Sequence, residues 1–150
     1  MHIEKNVCDN VLGTILNIER KTKDTVKTRM DLANMKIMKE LHLQPSGNGF
    51  VKPPACYVLS QREKQSLLEF LKSVKFPNGY ASNISRNVSV EDGKILGLKS
   101  HDYHVLLQRL LPVGIRGYLH KDVVTALVEL VNFFHELRAK TLNVKELDTL

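Results

Sequence analysis

The sequence predicts a mainly α fold: an irregular helical domain of about five helices with at most a minor β-hairpin. Three observations predict it. Apolar residues recur three and four apart along several long stretches, the period of one helix face. A Ser-x-x-Glu capping signature stands directly before one of those stretches. The densest Gly and Pro cluster, QPSGNGFVKPPA at 44–55, falls between the periodic runs and forbids a continuous helix there.

The elements follow in order. Ile3, Val7, Val11, Ile15 and Ile18 mark an amphipathic helix over 2–20. Gly13 inside it costs about 1 kcal/mol against Ala, so it marks a close packing point. From Lys21 to His42, charges alternate with Val26, Met30, Met35, Ile37 and Met38, giving a looser helix or two short ones. Ser60 and Glu63 form the capping box of a helix running to about Val74, with Leu67, Leu68, Leu71 and Val74 buried. NVSVEDGKILGL (87–98) reads as a hairpin about Glu91-Asp92-Gly93. Ser100 is the expected N-cap of the next helix, whose buried stripe is Val105, Leu106, Leu110 and Leu111. Pro112 should kink or end it. Val124, Leu127, Val128, Val131, Phe134 and Leu137 define a last long helix over 121–140, and Asn143 with Glu146 repeats the capping pattern. An ending at Leu150, less than two turns into that element, reads as a cut domain.

At 150 residues, with 43% hydrophobic and 25% charged side chains, the chain matches one ordinary globular domain. Two cysteines, Cys8 and Cys56, without a Cys-x-x-Cys pair, suggest reduced thiols rather than a disulfide framework. Residues 1–5 hold no apolar signal core, and no apolar run approaches the roughly 18 residues that cross a bilayer. No membrane partner is expected, and the protein should be soluble and intracellular. With 22 Lys and Arg against 16 Asp and Glu, the net charge is +6, which suits a polyanionic partner. The densest basic run holds Arg20, Lys21, Lys23, Lys27 and Arg29, a candidate phosphate-facing surface. With no Trp and 6% aromatics, a stacking platform for bases is disfavoured.

Residues 97–112, GLKSHDYHVLLQRLLP, concentrate chemistry. His101 and His104 share a helix face, and Asp102 beside them is a third ligand type. Zinc would need another donor, Cys8, Cys56 or a distant His. Against this stands the plainer reading that Asp102 serves the positive end of a helix dipole. No Walker loop, Gly-x-Ser-x-Gly or dinucleotide fingerprint is present. Asp9 beside Cys8 should raise that thiol's pKa, which argues against a nucleophile.

Six stretches in order carry a resemblance: MHIEKNVCDNVLGTILNIERKTKD (1–24), RMDLANMKIMKELH (29–42), PPACYVLSQREK (53–64), NGYASNISRNVS (78–89), GLKSHDYHVLLQRLLPVGIRG (97–117) and LVELVNFFHELRAKTLNVKELDTL (127–150). Together they resemble the transposase of plant CACTA (En/Spm-type) elements, over nearly the whole chain. On that alignment 1–42 is the helical end of the transposase region, 43–96 a loop-rich connection with one helix, and 97–150 the helical start of the associated domain. The resemblance implies a fragment of a ribonuclease-H-like enzyme of cut-and-paste DNA transposition, acting in the nucleus. Such cores hold Mg2+ on three carboxylates for attack on phosphodiesters. Met1 and His2 match the last two positions of the family's Asp-x-Met-His arrangement, which sets two carboxylates before residue 1. Asp102 is then the first candidate for the remaining catalytic carboxylate, Glu4 the second and Glu129 the third, with His2, His101 and His104 near the metal of a full-length parent.

Tyr103 stands where the family often has Cys, which weakens a zinc role, and Gly114 where it often has Ala. With one carboxylate the fragment should bind no metal or cofactor and should be inactive alone. Weak, non-specific DNA binding is expected. So is an uncovered apolar surface along residues 3–18, with self-association or pairing with another transposase subunit. The alternative is a non-catalytic helical module that binds DNA or protein.

Overall fold

The computed structural model describes residues 2–77 and 83–137. Its elements are α1 (His2–Ile15), α2 (Val26–Asn34), β1 (Gln44–Ser46), β2 (Gly49–Val51), α3 (Gln61–Ser73), β3 (Val88–Ser89), β4 (Lys94–Ile95), α4 (Ser100–Val105), α5 (Leu111–Gly114) and α6 (Lys121–Leu137). A π-helical turn, Leu106–Leu110, joins α4 to α5, so that 100–114 runs as one rod. Among the described residues this leaves five helical rods and two small antiparallel hairpins, a mainly α domain.

α1 is shorter than its apolar period. Asn17 takes a left-handed conformation, φ 47°. The Asn17 amide donates to Thr14 O and the Ile18 amide to Gly13 O, at 3.1 and 2.8 Å, a Schellman-type stop. Gly13 is the close packing point its position suggested: a Cβ there would lie 2.9 Å from the Lys21 carbonyl oxygen.

The segment 21–42 becomes two short helical pieces, α2 and a 3-10 turn at Lys39–Leu41. Thr25 caps α2, its Oγ1 accepting from the Thr28 amide at 3.2 Å. α3 opens on the expected capping box, with the Ser60 amide donating to Glu63 Oε2 at 2.8 Å. The Ser60 hydroxyl, and after it that backbone bond, hold the Glu63 carboxyl below its usual range.

The stripe at 105–111 is buried as expected and packs against α6 through the π turn and α5. α3 crosses beneath α5 closely: a Cβ at Gly114 would meet Leu67 Cδ1 at 2.6 Å and Phe70 at 3.1 Å. Leu67, Leu68, Leu71, Leu106, Leu107 and Ile115 form the centre of the core.

Several expectations are corrected. Lys99, not Ser100, is the N-cap residue of α4, because the Asp102 carboxylate reaches back to the Lys99 amide at 2.8 Å. Of the two outcomes expected at Pro112, a kink or an end, the helix does not end there. The Leu111 amide donates to Leu106 O, five residues back, and that widened turn accommodates the missing proline amide. The face of α1 is not an uncovered apolar surface either. Cys8, Leu12, Ile15 and Leu16 are buried, and Ile3, 73% exposed, is the large apolar side chain left mostly in solvent there.

Exposed apolar residues are densest instead at Val26, Met30, Met35, Ile37, Met38, Phe50 and Val51, with Leu96, Val113, Tyr118, Phe133 and Leu137 exposed elsewhere. The hairpin expected within 87–98 forms about Gly93, and a second one, β1–β2, forms within the Gly- and Pro-rich stretch that forbids a continuous helix. The Asn143–Glu146 capping pattern lies outside the described residues, as do residues 138–140 of the last helix.

Candidate nucleic-acid interface and the carboxylate cluster

α1 and α4 meet across a polar seam. Glu4, on the first turn of α1, is buried, and its Oε1 lies 2.9 Å from His104 Nδ1 and accepts from Gln108 Nε2 at 2.9 Å. One turn along, Tyr103 donates its hydroxyl to Asp9 Oδ1 at 3.0 Å, and Lys5 Nζ sits 5.6 Å from the centre of the Tyr103 ring. Burial and Asp9 together push the Tyr103 phenol upward. Cys8 lies in the same seam with no exposed surface. Burial first, then Asp9 and Glu4, raises its thiol far above the ordinary range, so it is no nucleophile at neutral pH.

The structure therefore brings two of the sequence-selected residues together, Glu4 and His104, one hundred positions apart. The rings of His101 and His104 lie 6.1 Å apart. His2 is exposed, as is Glu129 on α6. Asp102 is buried, and its carboxylate is engaged at its own helix start. Sequence reasoning passed over Gln108, whose amide completes the Glu4 site. It also lines a cleft of about 260 Å³ with Arg109, Val131, Asn132 and His135.

Among the described residues, no group of three or more His, Cys, Asp and Glu could hold a metal ion. The donor set does not fit the Mg2+ that the resemblance implies. Glu4 Oε1 is engaged by an imidazole and an amide, and Asp102 serves a backbone N–H. No chemical step through a metal follows from this seam.

The basic stretch divides sharply. Arg20, Lys21, Lys23 and Lys27 are exposed, with Lys21 Nζ 3.8 Å from Asp9. Arg29 is not a phosphate ligand. Its side chain is 0% exposed and forks onto Asp24, Nε to Oδ1 at 2.5 Å and Nη2 to Oδ2 at 2.7 Å. Its Nη1 donates to Leu41 O at 2.7 Å and Nη2 to Pro53 O at 3.4 Å. Lys52 Nζ adds a bond to Asp24 O at 2.9 Å. Sequence spacing could not separate Arg29 from its neighbours. The one available signal was Asp24, five positions before it, which can pair with it only once the chain folds back.

The Arg29 hydrogen bonds outweigh burial and hold the Asp24 carboxyl below its usual range, with the Arg29 and Lys52 charges acting the same way. Asp24 therefore contributes stability that is complete above the ordinary carboxylate value, 3.8, and is lost as pH falls through the lower folded value. Thermal melts across the acid range should show the midpoint dropping. An Asp24→Asn variant, already destabilised, should show a flatter acid limb. An acid limb as steep as that of the natural chain would mean other carboxylates carry the transition.

No helix among the described residues is long and apolar enough to cross a membrane. Comparison of the chain with protein-family models, with curated proteins and with solved structures gave no match.

Proposed function

We propose that this chain is a transposon-derived DNA-contacting module of the CACTA transposase type, acting in the nucleus and not cutting DNA by itself. The six ordered stretches that resemble that transposase motivate the assignment. The observation that carries the DNA contact is the run of exposed cations, Arg20, Lys21, Lys23 and Lys27, along one loop and the first turn of α2. The engagement of Glu4 by His104 and Gln108, and of Asp102 by the Lys99 amide, supports a non-catalytic role for this segment.

Phosphate contact makes affinity depend on salt. If about three or four phosphates are neutralised, log affinity should fall against log salt with a slope near −3. Replacing Arg20, Lys23 and Lys27 with Gln should flatten that slope without lowering the melting point, since all three are exposed. An unchanged slope would make the run an ordinary solvated face. Incubation with plasmid and Mg2+ should leave the DNA unnicked.

A protein-binding module is the second reading. It is favoured by the exposed Met30, Met35 and Met38 beside Ile37, since flexible methionines suit adaptable partner surfaces. Salt-insensitive DNA binding together with capture of a defined transposase subunit would favour it.

A further inference from the structure

We infer that the β1–β2 hairpin, Gln44–Val51, is a groove-inserting element for duplex DNA, held rigidly beside the basic loop by the Asp24–Arg29 pair, with Phe50 as its apolar contact. The inference rests on the DNA-contacting reading above. The hairpin has no role in the fold's interior: all six strand residues are exposed, and the Phe50 ring is 63% exposed. A lone two-stranded hairpin is marginal in water, so this one needs an anchor.

The anchor is Arg29. It binds the carbonyl of Leu41, just before β1, and that of Pro53, just after β2. Lys52, the residue following β2, donates to the Asp24 carbonyl. Asp24 is flanked by Lys23 and lies within the exposed basic run. One buried ion pair thus ties both feet of the hairpin to the loop that carries the cations.

Charge complementarity identifies the occupant. Residues 20–52 hold eight Lys and Arg against three Asp and Glu, five of the chain's six net positive charges. A two-stranded ribbon fits the major groove, about 12 Å wide, where apolar side chains meet thymine methyls. In the hairpin register Phe50 shares its face with Pro45, and Asn48 at the turn supplies a donor and an acceptor at the ribbon's tip, which suits base edges better than acyl chains.

The test compares the full chain with Phe50→Ala on a short labelled duplex across a salt series, by fluorescence anisotropy. Phe50→Ala should keep the circular dichroism spectrum and the salt slope, yet weaken binding at every salt by roughly five- to thirtyfold. Lys23→Gln with Lys27→Gln should do the opposite, flattening the slope. If the natural chain binds with a normal slope and Phe50→Ala binds equally well, the hairpin inference falls and the DNA reading survives. If the natural chain shows no salt-dependent binding, both fall. Phe50-dependent binding that is tighter to single strands overturns groove insertion. Phe50-dependent binding to phosphatidylserine vesicles, without duplex binding, reassigns the surface to membranes.

Discussion

Arg29→Ala is expected to destabilise the protein by about 3–5 kcal/mol, the usual consequence of stranding one member of a buried ion pair. Asp24, 5% exposed in the natural chain, would be left with the partly exposed Lys52 ammonium, 3.4 Å from its Oδ2, and the Leu41 carbonyl would lose its 2.7 Å donor. Arg29→Lys should recover little of this. An ammonium cannot make two parallel bonds to Oδ1 and Oδ2 and also reach Leu41 O.

The double variant Asp24→Ala with Arg29→Leu should be more stable than Arg29→Ala alone, because it buries no uncompensated charge. Denaturant melts of the three variants provide the comparison. Hydrogen exchange should show the loss first in residues 22–54, the part gathered around the pair. A loss under about 1 kcal/mol for Arg29→Ala would mean the pair behaves as a surface bridge, and the anchoring of the hairpin would need another cause.

Leu110→Ala should cost about 2–5 kcal/mol. Leu110 ends the π turn, is 7% exposed, and lies where the 100–114 rod packs on α6. A truncated side chain there leaves a cavity that a rod pinned by Gly114 against Leu67 and Phe70 has little freedom to close. Asp102→Ala provides the contrast. Dipole arguments alone set its cost at a few tenths to about 1 kcal/mol. Burial and the bond to the Lys99 amide raise the expectation to about 0.5–2 kcal/mol. Equal losses for the two variants would mean the rod is held by its polar start as much as by its apolar face.

Much of the helical plan was legible because it is local. The Ser60–Glu63 box, the Leu67–Leu71 stripe and the 105–111 stripe each depend on residues within one or two turns, and each formed where the period put it. The β1–β2 hairpin was legible too, in its Gly47-Asn48 loop between Ser46 and Gly49. Pro45 argues against a central strand, but β1 has a partner on one side alone, and proline is tolerated on such an edge strand.

What the sequence by itself determined is the helical class, the α3 register and the concentration of charge in one region, since propensity, capping and composition act over short distances. Only the tertiary structure decided which charges are free and which carboxylates are engaged. Glu4 meets His104 and Gln108 across a hundred residues, and Arg29 leaves its exposed neighbours to close on Asp24, Leu41 and Pro53. Those outcomes depend on which side of a short helix faces inward. In α2, where the apolar side chains Val26 and Met30 stay in solvent and the arginine is buried, the fork of hydrogen bonds on a shared carboxylate overrode the hydrophobic pattern.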